Sequence, residues 1–282
     1  MKIALVELFV PSRRVADSAS QLILRALRSA PQARNDAACA AIEAALHLSP
    51  DIVVCPGWTF VADDARSVGI TPPTTATLVF ETVRLSDVEA ALQKSTKAEP
   101  AAAPLYPWTS WVWRPGQEPV ELPRQVVSTG SEMDDDENAA ALCAALVRRS
   151  VGDGALLLVC GEVNVVRLEK HGGSRRCLLT EGFQPLFEGQ LVLNPVHTPN
   201  SSYMSKKRAD GSGQWWRSLV TTGNTFDPAL VRARGGTPAQ TAWAYIDRLR
   251  AAPVKHGSGD WHKAQHDWRV YTVEAATTRR GR

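Results

Sequence analysis

The chain has 282 residues, 44% of them hydrophobic and 22% charged, the balance of an ordinary soluble globular protein of one large or two small domains. A net charge of +3 is too small at this length to argue for a nucleic-acid partner, and no stretch nears the ~18 apolar residues of a membrane-spanning helix. The five cysteines (39, 55, 143, 160 and 177) form no CxxC pair, which argues against a zinc ribbon or a disulfide framework and makes a reduced, cytoplasmic protein the expectation.

Residues 2–8 read as a first strand, too short and too quickly acidic for a signal peptide. Residues 21–27 suggest a helical turn or two. Asn35-Asp36 can cap a helix whose apolar positions Ala38, Cys39, Ile42, Ala45 and Leu46 keep helical spacing, and Pro50 ends it. Residues 51–55 form a short apolar strand that stops at Pro56-Gly57. This strand–helix–strand start marks an α/β layered fold. Residues 75–83, rich in β-branched side chains, read as another strand, and Ser86-Asp87 as the cap of a short helix through Leu92. Residues 94–104 read as an exposed loop. Residues 108–114, where tryptophans interleave with small residues, read as a strand with wide side chains on one face.

The acidic run 133–138 leads into a helix over 139–149, with acid at its positive end and Arg148-Arg149 at its negative end, as the macrodipole prefers. Next comes the stretch Gly154-Ala155-Leu156-Leu157-Leu158-Val159-Cys160-Gly161-Glu162. Its apolar run is the length of a strand buried on both faces. It stops at a thiol and a carboxylate, and the C-terminal ends of buried strands open onto crevices in many α/β folds. Residues 190–195 form a similar strand that stops at a polar crest: Asn194, His197 and Thr198. Residues 201–217 are basic, and Lys206-Lys207-Arg208 beside Trp215-Trp216 reads as a solvated loop over core tryptophans. Residues 219–222 could be a strand ending at Gly223-Asn224. Thr237-Pro238 starts a helix with Ala242, Tyr245, Ile246 and Leu249 inward, and residues 268–273 form a final strand.

His256, His262 and His266 with Asp260 and Asp267 have metal-binding chemistry. However, Gly257 and Gly259 argue for a loop, and no glutamate stands between His262 and His266, so no metal is expected. Neither a phosphate-cradling glycine motif nor a dinucleotide fingerprint is present, so no cofactor is expected either.

The order of segments resembles the nitrilase superfamily of carbon–nitrogen hydrolases. The resemblance rests on the Lys-Ile-Ala-Leu-Val opening, a helix leading into a strand that ends in Cys55-Pro56, a later strand ending in Cys160-Gly161-Glu162, and another ending in Asn194-Pro195. It covers residues 1–226; the part from about 227 is divergent. It implies a four-layer α-β-β-α sandwich, one domain over 1–282, a small-molecule amide or nitrile as ligand, and homodimers as a common assembly. By the same resemblance Cys160 is the nucleophile, Glu162 the acidic residue that follows it, and Glu132 a further pocket glutamate. The family's lysine stands eight residues before that glutamate, at Arg124 here, and its base, which follows the second strand's proline, falls on Gly57. There is no lysine between Lys97 and Lys170.

With glycine at 57, a thiol needs another base or a cationic neighbour to become a good nucleophile. Glu132, Glu162 and His197 are the candidates. Arg124 could stabilise a developing oxyanion but could not shuttle a proton. Two readings follow: a Cys160-dependent amide or nitrile hydrolase or acyl transferase, and an inactive protein of the same fold that binds a small ligand or a protein partner.

Overall fold

The structure, a computed structural model, describes residues 1–10, 19–94, 108–127, 136–152, 154–164, 190–197, 218–226, 243–245, 253–258 and 267–275. It is a mixed α/β protein with a curled sheet of thirteen strands among those residues. Strand β1 (Lys2–Val10) lies at the middle, buried from Ile3 onward on both faces. It runs parallel to β2 (Ile52–Val54) on one side and antiparallel to β13 (Asp267–Glu274) on the other. Its far end, from Leu8 to Val10, pairs in parallel with β10 (Ser218–Phe226).

From β2 the order continues through β4 (Thr77–Val83) and β5 (Trp108–Trp113) to β6 (Val120–Glu121); β3 (Phe60–Val61) also pairs with β4. From β10 it continues through β9 (Leu191–Val196) and β8 (Ala155–Leu157) to β7 (Ser150–Gly152). Side chains from both wings meet in one hydrophobic cluster. Ile3, Leu5, Val54, Val79 and Val112 come from one wing, and Leu157, Leu191, Leu193 and Val220 from the other. Each fully buried aliphatic side chain of this kind contributes about 1.5–3 kcal/mol, so the inward-facing set dominates register.

The opposite face of the first wing is covered by helices. Ala38, Ala41, Ile42 and Ala45 of α2 (Pro31–Leu46) pack on Ala4, Val6, Val53 and Phe80. α1 (Ala19–Ser29) and α3 (Leu85–Lys94) pack around Val10, Val83 and Trp108. No helix among the described residues is long and apolar enough to cross a membrane.

Several local expectations are corrected. Helix α2 starts at Pro31, with proline in its first turn, not at Asn35-Asp36. Asn35 instead uses its side-chain amide both ways on Val61, donating to its carbonyl at 2.9 Å and accepting from its N–H at 2.8 Å. The tryptophans of β5 divide between faces, since Trp111 and Trp113 join the helix-side cluster and Trp108 does not. Helix α4 (Asp136–Val147) has Asp136 and Glu137 in its first turn, but Arg149 turns inward and is fully buried instead of facing the helix end. Gly223 and Asn224 lie within β10 and do not end it.

The helix expected from Thr237 is contradicted over its middle. Residues Trp243–Tyr245 form β11, antiparallel to β10. Alternating Trp243-Ala244-Tyr245 also fits a two-residue period. Helix propensity differs by at most ~0.7 kcal/mol between ordinary residues, less than an available strand edge supplies. The loop expected around His256 and Gly257 is β12 (Pro253–Ser258), paired with β13. Glu132, His262, His266, the basic segment 201–217 and the loop 95–104 lie outside the described residues.

Candidate active site

The site forms where four strand ends meet: β2 and β4 from one wing, β8 and β9 from the other. After β8 the chain passes through Leu158 and Val159 into a 3-10 turn, Cys160–Asn164, which leaves Cys160 half-buried at the crest. Asn194 of β9 holds that crest in place. Its amide donates to the Leu158 carbonyl at 2.6 Å and to the Cys160 carbonyl at 3.4 Å. Directly after β9, the His197 backbone N–H donates to Cys160 Sγ at 3.4 Å.

The His197 imidazole is 5% exposed. Its Nε2 lies 2.7 Å from Glu81 Oε2, and Cys160, held by the His197 backbone N–H, is its second electrostatic neighbour. Glu81 is the one carboxylate on β4, in the inward-facing phase of Val79, and is fully buried. It also accepts from the Trp58 N–H at 2.9 Å and the Ser110 hydroxyl at 3.3 Å. A thiol, an imidazole and a carboxylate, from Cys160, His197 and Glu81, are thus brought together. Burial by itself pushes His197 down. Electrostatic interaction with Cys160 and with Glu81, the latter through the Nε2 hydrogen bond, outweighs it and holds the imidazole up to about 10.

Gly57 makes room for this ring. A Cβ at that position would sit 2.3 Å from His197 Cδ2 and 2.9 Å from Nε2, far inside van der Waals contact. The imidazole therefore occupies the space that a side chain at 57 would take. Two tryptophans hold it there: Trp58 stacks on it at 4.3 Å between centroids and 18° between planes, and Trp108 meets it edge-on at 4.2 Å and 68°. A cation over indole faces is favoured by the ring quadrupole.

A second, polar network fixes the 56–59 loop. Gly57 N–H donates to the Val196 carbonyl at 3.1 Å. Asn224 of β10 donates to the Gly57 and His197 carbonyls, both at 2.8 Å. Arg34 of α2 donates to the carbonyls of Trp58 at 2.8 Å and Thr59 at 3.0 Å, and to Asn224 Oδ1. Arg34 is fully buried, and burial brings its guanidinium down to about 9.

The residues singled out from sequence are dispersed. Cys160 and His197 are together. Glu162 is fully buried in an ion pair with Arg149, and it accepts the N–H groups of Val126 at 2.9 Å and Val159 at 3.1 Å. Burial pushes its carboxyl up, partly offset by Arg149 and by those N–H donors. It is thereby occupied as a clamp between the 3-10 turn and the 123–126 segment. Arg124 has a side chain 56% exposed, 3.8 Å from Glu121, and only its carbonyl turns inward, to Arg149. No ion pair or hydrogen bond joins Cys160 to a lysine or arginine among the described residues. Sequence reasoning missed Glu81, Trp58 and Arg34. The available signal for Glu81 was a single charge inside an otherwise apolar, β-branched strand.

No protein-family description matches this sequence, and no curated protein matches it. Among solved structures, the chain is similar to an amidase of the nitrilase superfamily from Nesterenkonia AN1, determined as a cysteine-to-alanine mutant. The identity is 14% over 97% of this chain and 90% of that one, at a TM-score of 0.41. A second structure, an amidase from Nesterenkonia sp., gives 15% identity over the same shares at 0.38. A third is a glutamate-to-leucine mutant of the AN1 amidase with the acetamide moiety of fluoroacetamide covalently added at its active-site cysteine, at 13% identity and 0.35. At these TM-scores the likeness assigns no function. Fold and site define a mixed α/β protein with a half-buried thiol beside a buried imidazole–carboxylate pair, and that geometry carries the chemistry.

Proposed function

We propose that this protein is a cysteine-dependent carbon–nitrogen hydrolase or acyl transferase with a four-layer nitrilase-type arrangement, acting on a small amide through a thioester on Cys160. The observation that carries this reading is the half-buried Cys160 thiol set beside a buried His197–Glu81 pair, with Sγ accepting the His197 backbone N–H and Nε2 on Glu81. A thiol becomes a good nucleophile as the thiolate, and a neighbouring imidazolium is a common means of holding that form.

In this mechanism the Cys160 thiolate attacks the amide carbonyl carbon. A C–S bond forms and the carbonyl π electrons move to oxygen. On collapse the C–N bond breaks, and the His197 imidazolium gives its proton to the departing nitrogen. Neutral His197 then takes a proton from water, which attacks the thioester. The C–S bond breaks, leaving a carboxylic acid, the thiolate and a recharged imidazolium. An amine or alcohol in place of water gives acyl transfer. Glu81 keeps the ring oriented and stabilises its positive form, while Ser110 and the Trp58 N–H hold Glu81.

Position 57 is where the resemblance puts a basic carboxylate, and the imidazole takes both its space and its task. The second reading, an inactive protein of the same fold that binds a small ligand or a partner, is favoured by one observation: Arg124 points to solvent, leaving the lysine position without a counterpart. The two separate on treatment with a thiol-reactive probe and on an ammonia-release panel of small amides. A hydrolase labels at Cys160 and releases ammonia, and Cys160→Ala loses both. Absence of Cys160 labelling together with absence of turnover would exclude the enzyme.

A further inference from the structure

Trp58 is one of two described non-glycine residues with a positive φ, at +52°. A bulky aromatic in the left-handed region is a true outlier, costing of order 1–3 kcal/mol, and such residues persist only where their surroundings enforce them. Here every backbone polar group of Trp58 is engaged. Its N–H reaches Glu81 Oε2 at 2.9 Å, the same oxygen that meets His197 Nε2, and its carbonyl accepts Arg34 Nη2 at 2.8 Å. The left-handed turn thus aims the N–H at the carboxylate while laying the indole flat on the imidazole, 4.3 Å away. Gly57, immediately before it, opens the space into which the ring fits.

We propose that Trp58 is a positioning residue, whose left-handed backbone orients Glu81 and whose indole holds the His197 ring between Glu81 and Cys160. This rests on the reading of Cys160 as nucleophile for its relevance to catalysis, but the placement of His197 can be measured without turnover. The titratable groups facing His197 are Glu81 from β4 and Cys160 from the turn after β8. Arg34 stands behind Asn224, which binds the His197 carbonyl.

The experiment compares Trp58→Phe, Trp58→Gly and Trp58→Ala with the wild type in three measurements. These are the NMR titration of the His197 imidazole (assigned by its loss in His197→Gln), the pH profile of Cys160 alkylation by iodoacetamide, and thermal unfolding. Phenylalanine keeps a stacking face and should leave the His197 midpoint close to wild type. Glycine relieves the backbone strain and keeps the N–H but removes the indole. It should lower the imidazole's proton-binding constant several-fold, because a cation loses its aromatic face. It should also shift the alkylation profile to higher pH, because a weaker imidazolium holds the thiolate less well, even where its melting temperature holds. Alanine should match glycine in titration and melt lower. If Trp58→Gly leaves both the His197 midpoint and the alkylation profile unchanged, or if Trp58→Phe shifts them as far as glycine does, the positioning role is wrong. Absence of amide turnover in the wild type, with these shifts intact, would instead count against the hydrolase reading alone.

Discussion

At the scale of single residues, the site depends on what is missing at position 57. Glycine is required there because the His197 ring fills the volume a Cβ would need, 2.3 Å from Cδ2. The ring cannot retreat easily, with Trp58 on its face and Trp108 at its edge. Gly57→Ala should therefore displace the imidazole from Glu81 and Cys160. We expect it to lower Cys160-dependent turnover by about 10²–10⁴, the usual worth of a general acid–base, with a modest fall in melting temperature. Steady-state kinetics and the crystal structure of the variant check this; an unchanged rate would mean that His197 is not the proton carrier. His197 was legible in the sequence as a polar residue just past an apolar strand. Glu81 was not singled out, because a lone carboxylate inside a strand does not say which partner it meets.

At the scale of elements, the 3-10 turn carrying Cys160 is anchored from below by a buried ion pair. Arg149, just beyond α4, reaches Glu162 and also donates to the carbonyls of Pro123 and Arg124. Arg149→Met would leave the Glu162 carboxylate buried beside only two N–H donors. Breaking such a pair from one side costs about 3–5 kcal/mol. We expect a correspondingly lower urea midpoint, and partial recovery in the double variant Arg149→Met, Glu162→Leu, which removes both charges. If the single variant unfolds at the wild-type urea concentration, the clamp is not needed. From sequence, Arg149 reads as a helix-end charge and Glu162 as a base. Both assignments follow from neighbours along the chain, whereas the two side chains find each other across thirteen residues through a turn.

For the whole molecule, His197 links stability to pH. Its folded-state value, about 10, lies above the ~6.5 of an unfolded histidine. The native state therefore binds more protons than the unfolded chain across that interval. The stability this provides is fully present below about pH 6.5 and is lost as pH rises towards 10. Melting temperature measured from pH 6 to 10 should fall across this window, and Glu81→Gln, which removes the carboxylate bonded to Nε2, should flatten the fall. A melting curve insensitive to pH in wild type would contradict the charged imidazole.

The chain by itself determined the strands at 2–8, 51–55, 75–83 and 190–195, and the one that opens at Ala155 though it stops at Leu157 and not at Val159, because runs of buried aliphatic residues carry their own periodicity. It also marked Cys160 and His197, because polar groups that end such runs stand out. Which partners those residues take was decided only by tertiary structure. Glu81, Trp58, Gly57, Asn224 and Arg34 come from four segments brought together by the pairing of β1 with β2 and β10. Hydrogen bonds and ring contacts over such distances depend on sheet order and twist, which hydrophobic spacing does not encode.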